Sequence, residues 1–347
     1  MRRIKVLIVE DSMVFRELLT RSLSADPAIE VVATATNPYE ARDAILEYNP
    51  DVMTLDVELP RMDGIEFLRK LMPQYPVRTV VISALSEAVF DALDAGAIDF
   101  VNKPVHMNGQ QLGEFMRKEL ATKIKIASTV KIGNLKRLPT PQTERITGNT
   151  GNLTKVIAIG ASTGGTEAIY DVVKRFNKEI PGVVIVQHMP PGFTKMYADR
   201  LNNQCVVTVR EAQNGDQVKT GQVLIAAGDK HMRLVRINGI YQVECRQGEK
   251  VSGHCPSVDV LFQSAARSAG REAMGVLLTG MGADGAKGLL DMREAGAETI
   301  GQNEASCVVF GMPREAINTG GVSEVVDLSQ VSQQMLAKIS AGQAIRI

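Results

Sequence analysis

Short apolar runs rich in β-branched residues alternate with amphipathic helical patterns, and this alternation constrains the fold more than any other feature of the chain. The strands expected in the first third are Ile4 to Val9, Val31 to Ala35, Val52 to Leu55, Thr79 to Ser83 and Phe100 to Val101. Between them lie segments with helical apolar spacing, such as "SMVFRELLTRSL", "EARDAILEY" and "IEFLRKLM". Such a repeat predicts a parallel, doubly wound sheet whose functional edge lies at the carboxyl ends of the strands. After a last helical stretch, "QQLGEFMRKELATKIK", the apolar period stops; residues 127–154 are polar, carry Pro139 and Pro141, and read as a linker. The alternation resumes at "VIAIGAS", "GVVIVQHM" and "AMGVLLTGM", so one α/β domain is expected over 1–126 and a second over 155–347. Within the second, "QVLIAAG", "MRLVRI" and "YQVEC", separated by "GDK" and "NGI", predict an inserted antiparallel meander between Asn214 and Gly248.

With 347 residues, each domain has enough chain to bury its own core. The 39 basic residues balance 39 acidic ones, which removes the general positive field on which sequence-independent nucleic-acid binding depends. No apolar run reaches the ~18 residues needed to span a bilayer. The apolar start is cut short by Glu10 and Asp11 before it could serve as a signal peptide. A cytoplasmic protein with no direct membrane insertion is expected. Cys205, Cys245, Cys255 and Cys307 form no metal-ligand spacing with one another or with His231 and His254, so idle thiols are expected rather than disulfides or a zinc site.

Reactive side chains fall where the first domain's strands end. Glu10 and Asp11 close the first strand, Asp56 the third, Ser83 the fourth and Lys103 the fifth. In a doubly wound sheet these ends share one crevice. Carboxylates packed together repel, and a divalent cation that prefers oxygen ligands, Mg²⁺, relieves the strain. Singly, each acid reads as a solvated loop residue. Jointly they suit phosphorylation of a carboxylate, with Asp56 as nucleophile and the hydroxyl and lysine holding phosphoryl oxygens. The motifs "VEDS", "LDVELPRMDG", "ISA" and "NKP" resemble a response-regulator receiver domain over about the first 120 residues. The resemblance implies a flavodoxin-like fold, Asp56 as phosphoacceptor, Glu10, Asp11 and Asp56 about Mg²⁺, and Ser83 and Lys103 as sensors of the phosphoryl group. Where family members often carry two aspartates in the first pair, this chain has Glu10.

In the second domain, "VIAIGASTGGTEA" poses a choice between a nucleophile and a phosphate cradle. Gly160-Ala161-Ser162-Thr163-Gly164 fits G-x-S-x-G, the nucleophile elbow. A dinucleotide site requires G-x-G-x-x-G and an acid at the end of the next strand; the glycines do not fit, and the next strand ends in His188. A serine nucleophile needs such a base. Asp284, in the glycine-rich loop of "GVLLTGMGADGAKG", offers the third element, although alone it reads equally as a helix N-cap. Three strand ends supplying serine, histidine and aspartate favour a triad. Its order, Ser…His…Asp, differs from the Ser…Asp…His of α/β-hydrolases, so the elbow does not imply that fold.

From about Lys155 onward, "IGASTGGTEA", "QHMPPGFT", "AAGDKHM", "CPSVDVLF", "LTGMGADGAKG" and "NEASCVVFGMPREAI" resemble the catalytic domain of the chemotaxis protein-glutamate methylesterase (CheB) family. The resemblance implies a Rossmann-like methylesterase domain, hydrolysis of glutamate methyl esters on chemoreceptors, deamidation of receptor glutamines, and no cofactor for the ester chemistry. By motif position, the backbone amides of Thr163 and Met281 would form the oxyanion hole. It further implies a chemotaxis histidine kinase as phosphodonor, and a receiver that occludes the esterase site until Asp56 is phosphorylated. Two competitors differ in class. One is a receiver joined to a phosphate- or nucleotide-gripping module. The other is a DNA-binding response regulator, disfavoured because the second half shows no helix-turn-helix pattern and no basic stripe. His231 is expected in a loop near the site and His106 on the surface, and Arg314 and Glu315 at an ordinary helix start or along a receptor-binding face.

Overall fold

The computed structural model describes residues 2–84, 86–103, 109–131 and 154–341. The chain divides into two compact units, Met1–Leu138 and Pro139–Ile347. The first runs β1 (Ile4–Val9), α1 (Met13–Ser24), β2 (Ile29–Ala35), α2 (Pro38–Tyr48), β3 (Val52–Asp56), α3 (Gly64–Leu71), β4 (Arg78–Ser83), α4 (Ser86–Asp94), β5 (Asp99–Asn102), α5 (Gly109–Phe115) and α6 (Ala121–Thr129), with a π-helical turn joining the last two. Its five strands are parallel in the order β2-β1-β3-β4-β5. The expected strands are all present, most of them a residue or two longer than the apolar run, because the register carries polar ends such as Asp56 and Asn102 into the ladder. Helix starts follow local chemistry: the Ser12 hydroxyl accepts from Phe15 N, and the Asn37 and Asp63 side chains cap α2 and α3 in the same way.

Helix α6 continues through Ala127, where the polar stretch of the sequence begins. Ala127 and Ile124 are buried, and the Arg78 guanidinium donates to the Val130 carbonyl at 2.7 Å, which holds the end of the helix against the start of β4. Most of the linker expected over 127–154, with Pro139 and Pro141, lies outside the described residues, as does His106.

The second unit runs β6 (Val156–Ala161), α7 (Gly165–Val173), β7 (Gly182–Gln187), α8 (Phe193–Gln204), β8 (Thr208–Glu211), β9 (Gln222–Ile225), β10 (His231–Ile237), β11 (Ile240–Arg246), α9 (Val258–Ala269), β12 (Ala273–Leu277), α10 (Ala286–Glu294), β13 (Glu298–Gln302), α11 (Met312–Asn318), β14 (Glu324–Val326) and α12 (Leu328–Ala341). Seven strands form a parallel sheet in the order β14-β13-β12-β6-β7-β9-β8. β6, β7 and β12 are buried along their whole length, as sheet centres covered on both faces must be.

Of the three runs expected to form an antiparallel meander, only β10 and β11 pair antiparallel, as a hairpin of their own. "QVLI" instead becomes β9 and joins the main sheet parallel to β7 and β8, where Val223, Leu224 and Ile225 are fully buried beside Val183, Val184 and Ile185. The four cysteines are free thiols. Among the described residues, no helix is long and apolar enough to cross a membrane.

Candidate active site

In the first unit, β1, β3, β4 and β5 are successive neighbours in the sheet, so the side chains at their carboxyl ends meet. Glu10 and Asp56 are almost completely buried, Asp11 is exposed, and Ser83 is buried at the end of β4. Lys103 Nζ lies 2.9 Å from Asp56 Oδ2 and 3.1 Å from both Glu10 oxygens, and sits 4.2 Å above the Phe15 ring centroid. Burial, then the charge of Asp56, raises the Glu10 carboxyl to about 7 despite the lysine. Burial works to lower Lys103, and its bonds and charge interactions with Asp56 and Glu10 outweigh that and raise it. Carboxylate oxygens of Glu10, Asp11 and Asp56 lie within 4.8 Å of one another, an all-oxygen donor set that suits a hard divalent cation. The longer Glu10 side chain thus still reaches the cluster.

In the second unit, β6 lies between β12 and β7, which brings together the loops that follow these three strands. Ser162 follows β6, His188 follows β7, and Asp284 stands in the loop between β12 and α10. Ser162 Oγ is 3.1 Å from His188 Nδ1, and His188 Nε2 is 2.8 Å from Asp284 Oδ2. The left-handed turn falls on Gly164 (φ 77°) rather than on the serine, so this is a looser elbow than the G-x-S-x-G pattern suggests. Gly165 is required by close approach: a Cβ there would stand 2.2 Å from Gln187 Oε1.

Asp284 is buried and does not cap its own helix. It faces the N-terminus of α9, where Oδ1 accepts from Ser257 Oγ (2.8 Å) and Asp259 N (2.9 Å), and Oδ2 from Val258 N (2.8 Å) as well as the imidazole. Burial acts to raise its carboxyl. The His188 bond and charge, with the helix N–H groups, overcome this and hold it below the ordinary range. Because the ionised carboxylate only accepts, His188 carries its proton on Nε2 and leaves the Nδ1 lone pair facing the serine hydroxyl.

Two peptide planes bear on Thr163 and Met281. The Ser162 carbonyl accepts from Gly165 N (2.7 Å) and from Gln187 Nε2 (2.9 Å). The Gly280 carbonyl accepts from Met312 N (2.8 Å) and Gly311 N (3.1 Å). In a trans peptide the N–H points opposite the carbonyl, so these bonds fix the directions in which the Thr163 and Met281 N–H groups point.

Two neighbours escaped the sequence reading. Gln187 is a buried amide at the end of an otherwise apolar strand; its Nε2 also donates to the His188 carbonyl at 3.2 Å, and its Oε1 is left without a partner. A polar residue closing such a strand was the available signal. His254 stacks on His188. His188, His254 and Asp284 ligand atoms lie within 4.8 Å of one another, yet two parallel rings cannot both aim in-plane lone pairs at one ion. His231 is not in a loop but opens β10, buried, its Nε2 donating to the Glu249 carbonyl and its Nδ1 accepting from Ser257 N. Arg314 and Glu315 lie in the first turn of α11 and pair with each other.

A family model described as CheB methylesterase matches residues 157–335, and one described as response regulator receiver domain matches residues 6–112. A protein-glutamate methylesterase/protein-glutamine glutaminase 2 of Syntrophomonas wolfei is 61% identical over 344 residues, 98% of this chain and 99% of that protein. A protein-glutamate methylesterase/protein-glutamine glutaminase of Salmonella typhimurium is 54% identical over the full length of both chains. The crystal structure of the Thermotoga maritima CheB methylesterase catalytic domain is 36% identical and superposes with a TM-score of 0.52, covering 53% of this chain and 98% of that one.

Proposed function

This chain belongs to the CheB methylesterase family, and from that premise we propose how its two domains work. It is a protein-glutamate methylesterase and protein-glutamine glutaminase, controlled by phosphorylation through its receiver domain. Its substrates are methylated glutamates and particular glutamines of chemoreceptors, and its phosphodonor is the chemotaxis histidine kinase. The domains are those expected over 1–126 and 155–347, with the end of α6 carrying the first through Thr129 and the rest of 127–154 serving as linker.

The observation that carries the mechanism is the unbroken hydrogen-bonded chain from Ser162 Oγ through His188 to Asp284. Ser162 Oγ attacks the side-chain carbonyl carbon as His188 Nδ1 takes its proton, and Asp284 stabilises the imidazolium through Nε2. The carbonyl oxygen becomes an oxyanion held by the N–H groups of Thr163 and Met281, each worth about 3 kcal/mol of transition-state stabilisation. Gln187 and the start of α11 hold those donors in place through the carbonyls on the other side of each peptide. His188 returns the proton to the leaving group, which departs as methanol from an ester or ammonia from an amide. A water, deprotonated by the same imidazole, then releases glutamate and free serine.

In the receiver, Asp56 is the phosphoacceptor. Glu10, Asp11 and Asp56 would hold Mg²⁺, which when bound neutralises charge during phosphoryl transfer. Lys103 already bridges Glu10 and Asp56, and so is within reach of a phosphoryl group on Asp56; Ser83, from the neighbouring strand end, contributes a hydroxyl.

A fluorophosphonate tests the nucleophile. One equivalent should attach to the intact chain, at the peptide containing Ser162, with loss of esterase activity in proportion. No attachment together with no esterase activity would favour a non-catalytic binding module, whereas attachment elsewhere without loss of activity would remove Ser162 as the nucleophile.

A further inference from the structure

His254 lies on the loop between β11 and α9 with its imidazole face to face with that of His188, ring centroids 3.7 Å and planes 7° apart. The loop is braced for this. Val251 and His254 exchange backbone hydrogen bonds of 3.0 Å, and Ser252 Oγ donates to Asp259 Oδ2 at 3.0 Å. Buried His231 ties the two flanks of the loop together, bonding to Glu249 O at 2.8 Å and Ser257 N at 3.2 Å. His254 Nδ1 donates to the Ser252 carbonyl at 2.9 Å, which fixes its tautomer and ring plane. Burial, then the proximity of His188, pushes His254 down to about 4, so the ring is uncharged at neutral pH. The charged groups around the pair are Asp284, which also faces His188, Asp259 behind Ser252, and Lys250 on the loop itself.

We propose that His254 is a positioning residue for His188: a neutral aromatic face that confines the imidazole to the plane shared by Ser162 and Asp284 and favours its positive form as the serine loses its proton. A π-face beside a cation is attractive, and a ring held in one plane keeps the base at reacting distance. A second cation in the same place would oppose the charge. The inference rests on the reading of His188 as the base.

Methanol release by the full chain, followed over about pH 5 to 9 where imidazoles titrate, tests it. His254→Ala should lower kcat about tenfold with KM unchanged, as expected for loss of orientation and of a cation–π contact. His254→Phe, which keeps the face and loses the Ser252 bond, should recover kcat to within about threefold. His254→Arg should fall below the alanine variant and move the acid limb of kcat/KM about one unit lower, because a fixed cation disfavours the imidazolium. Thermal melts identify any variant that fails to fold, and the alanine and phenylalanine pair suffices without arginine. Wild-type kcat in His254→Ala, or equal impairment of His254→Ala and His254→Phe, would overturn the proposal. His188→Ala in the same series separates the two ideas: activity there would sink the reading of His188 as base, whereas activity lost there but retained in His254→Ala would sink this inference alone.

Discussion

Asp284→Asn should lower kcat for methanol release by about 10⁴-fold, the scale expected when a triad imidazole is held in the wrong tautomer. The carboxylate here accepts from four donors: the His188 ring, the Ser257 hydroxyl and the N–H groups of Val258 and Asp259. A carboxamide must turn its NH₂ toward one of its two sets of partners. Turned to His188, it donates to Nε2, moves the ring proton to Nδ1 and leaves no lone pair for the serine, and it also meets the Val258 N–H donor to donor. Turned to Ser257 and Asp259 N, it sets donor against donor at a buried helix start, at a cost of about 1–3 kcal/mol in stability. Loss of activity with a lowered melting temperature is the expected pair of results, while a variant within tenfold of wild type would remove Asp284 from the mechanism.

Ser162→Ala should be more severe, on the order of 10⁶-fold in kcat, because the covalent route disappears and only the oxyanion donors and substrate binding remain. The fold should be untouched. Alanine keeps the Cβ that packs beside Gly280, where an added Cβ would come within 2.8 Å of it, and only the Oγ bonded to His188 is lost. KM should therefore change little. Residual turnover near the wild-type rate would show that another group attacks the ester.

The two α/β units were legible because strands buried on both faces leave continuous β-branched runs, and reactive residues stand out where those runs stop: Asp56 after "VMTL", Ser162 after "VIAIGA" and His188 after "GVVIVQ". Ser162, His188 and Asp284 meet because β12, β6 and β7 are adjacent, which the strand order decides and local sequence does not. The same limit misdirected "QVLI": so short a strand, with three apolar residues, reads equally as a hairpin arm or a parallel strand, and its partner β7 lies some forty residues away. Asp284 reads locally as the cap of the following helix, yet it serves the start of α9, which precedes it in the chain. Gln187 and His254 act through contacts that exist only once the strands are ordered, so no spacing rule marks them. Glu10, by contrast, departs from the usual aspartate and still joins Asp56 and Lys103 in one buried cluster.

The most direct test of a triad under phosphorylation control is methanol release from methyl-labelled chemoreceptor by the full chain, with and without a small-molecule phosphodonor and Mg²⁺. Release should rise with phosphodonor and Mg²⁺ together, show no rise when Mg²⁺ is chelated or in Asp56→Asn, and vanish in Ser162→Ala under every condition. No methanol from the phosphodonor-treated wild-type protein, or release that persists in Ser162→Ala, would contradict it.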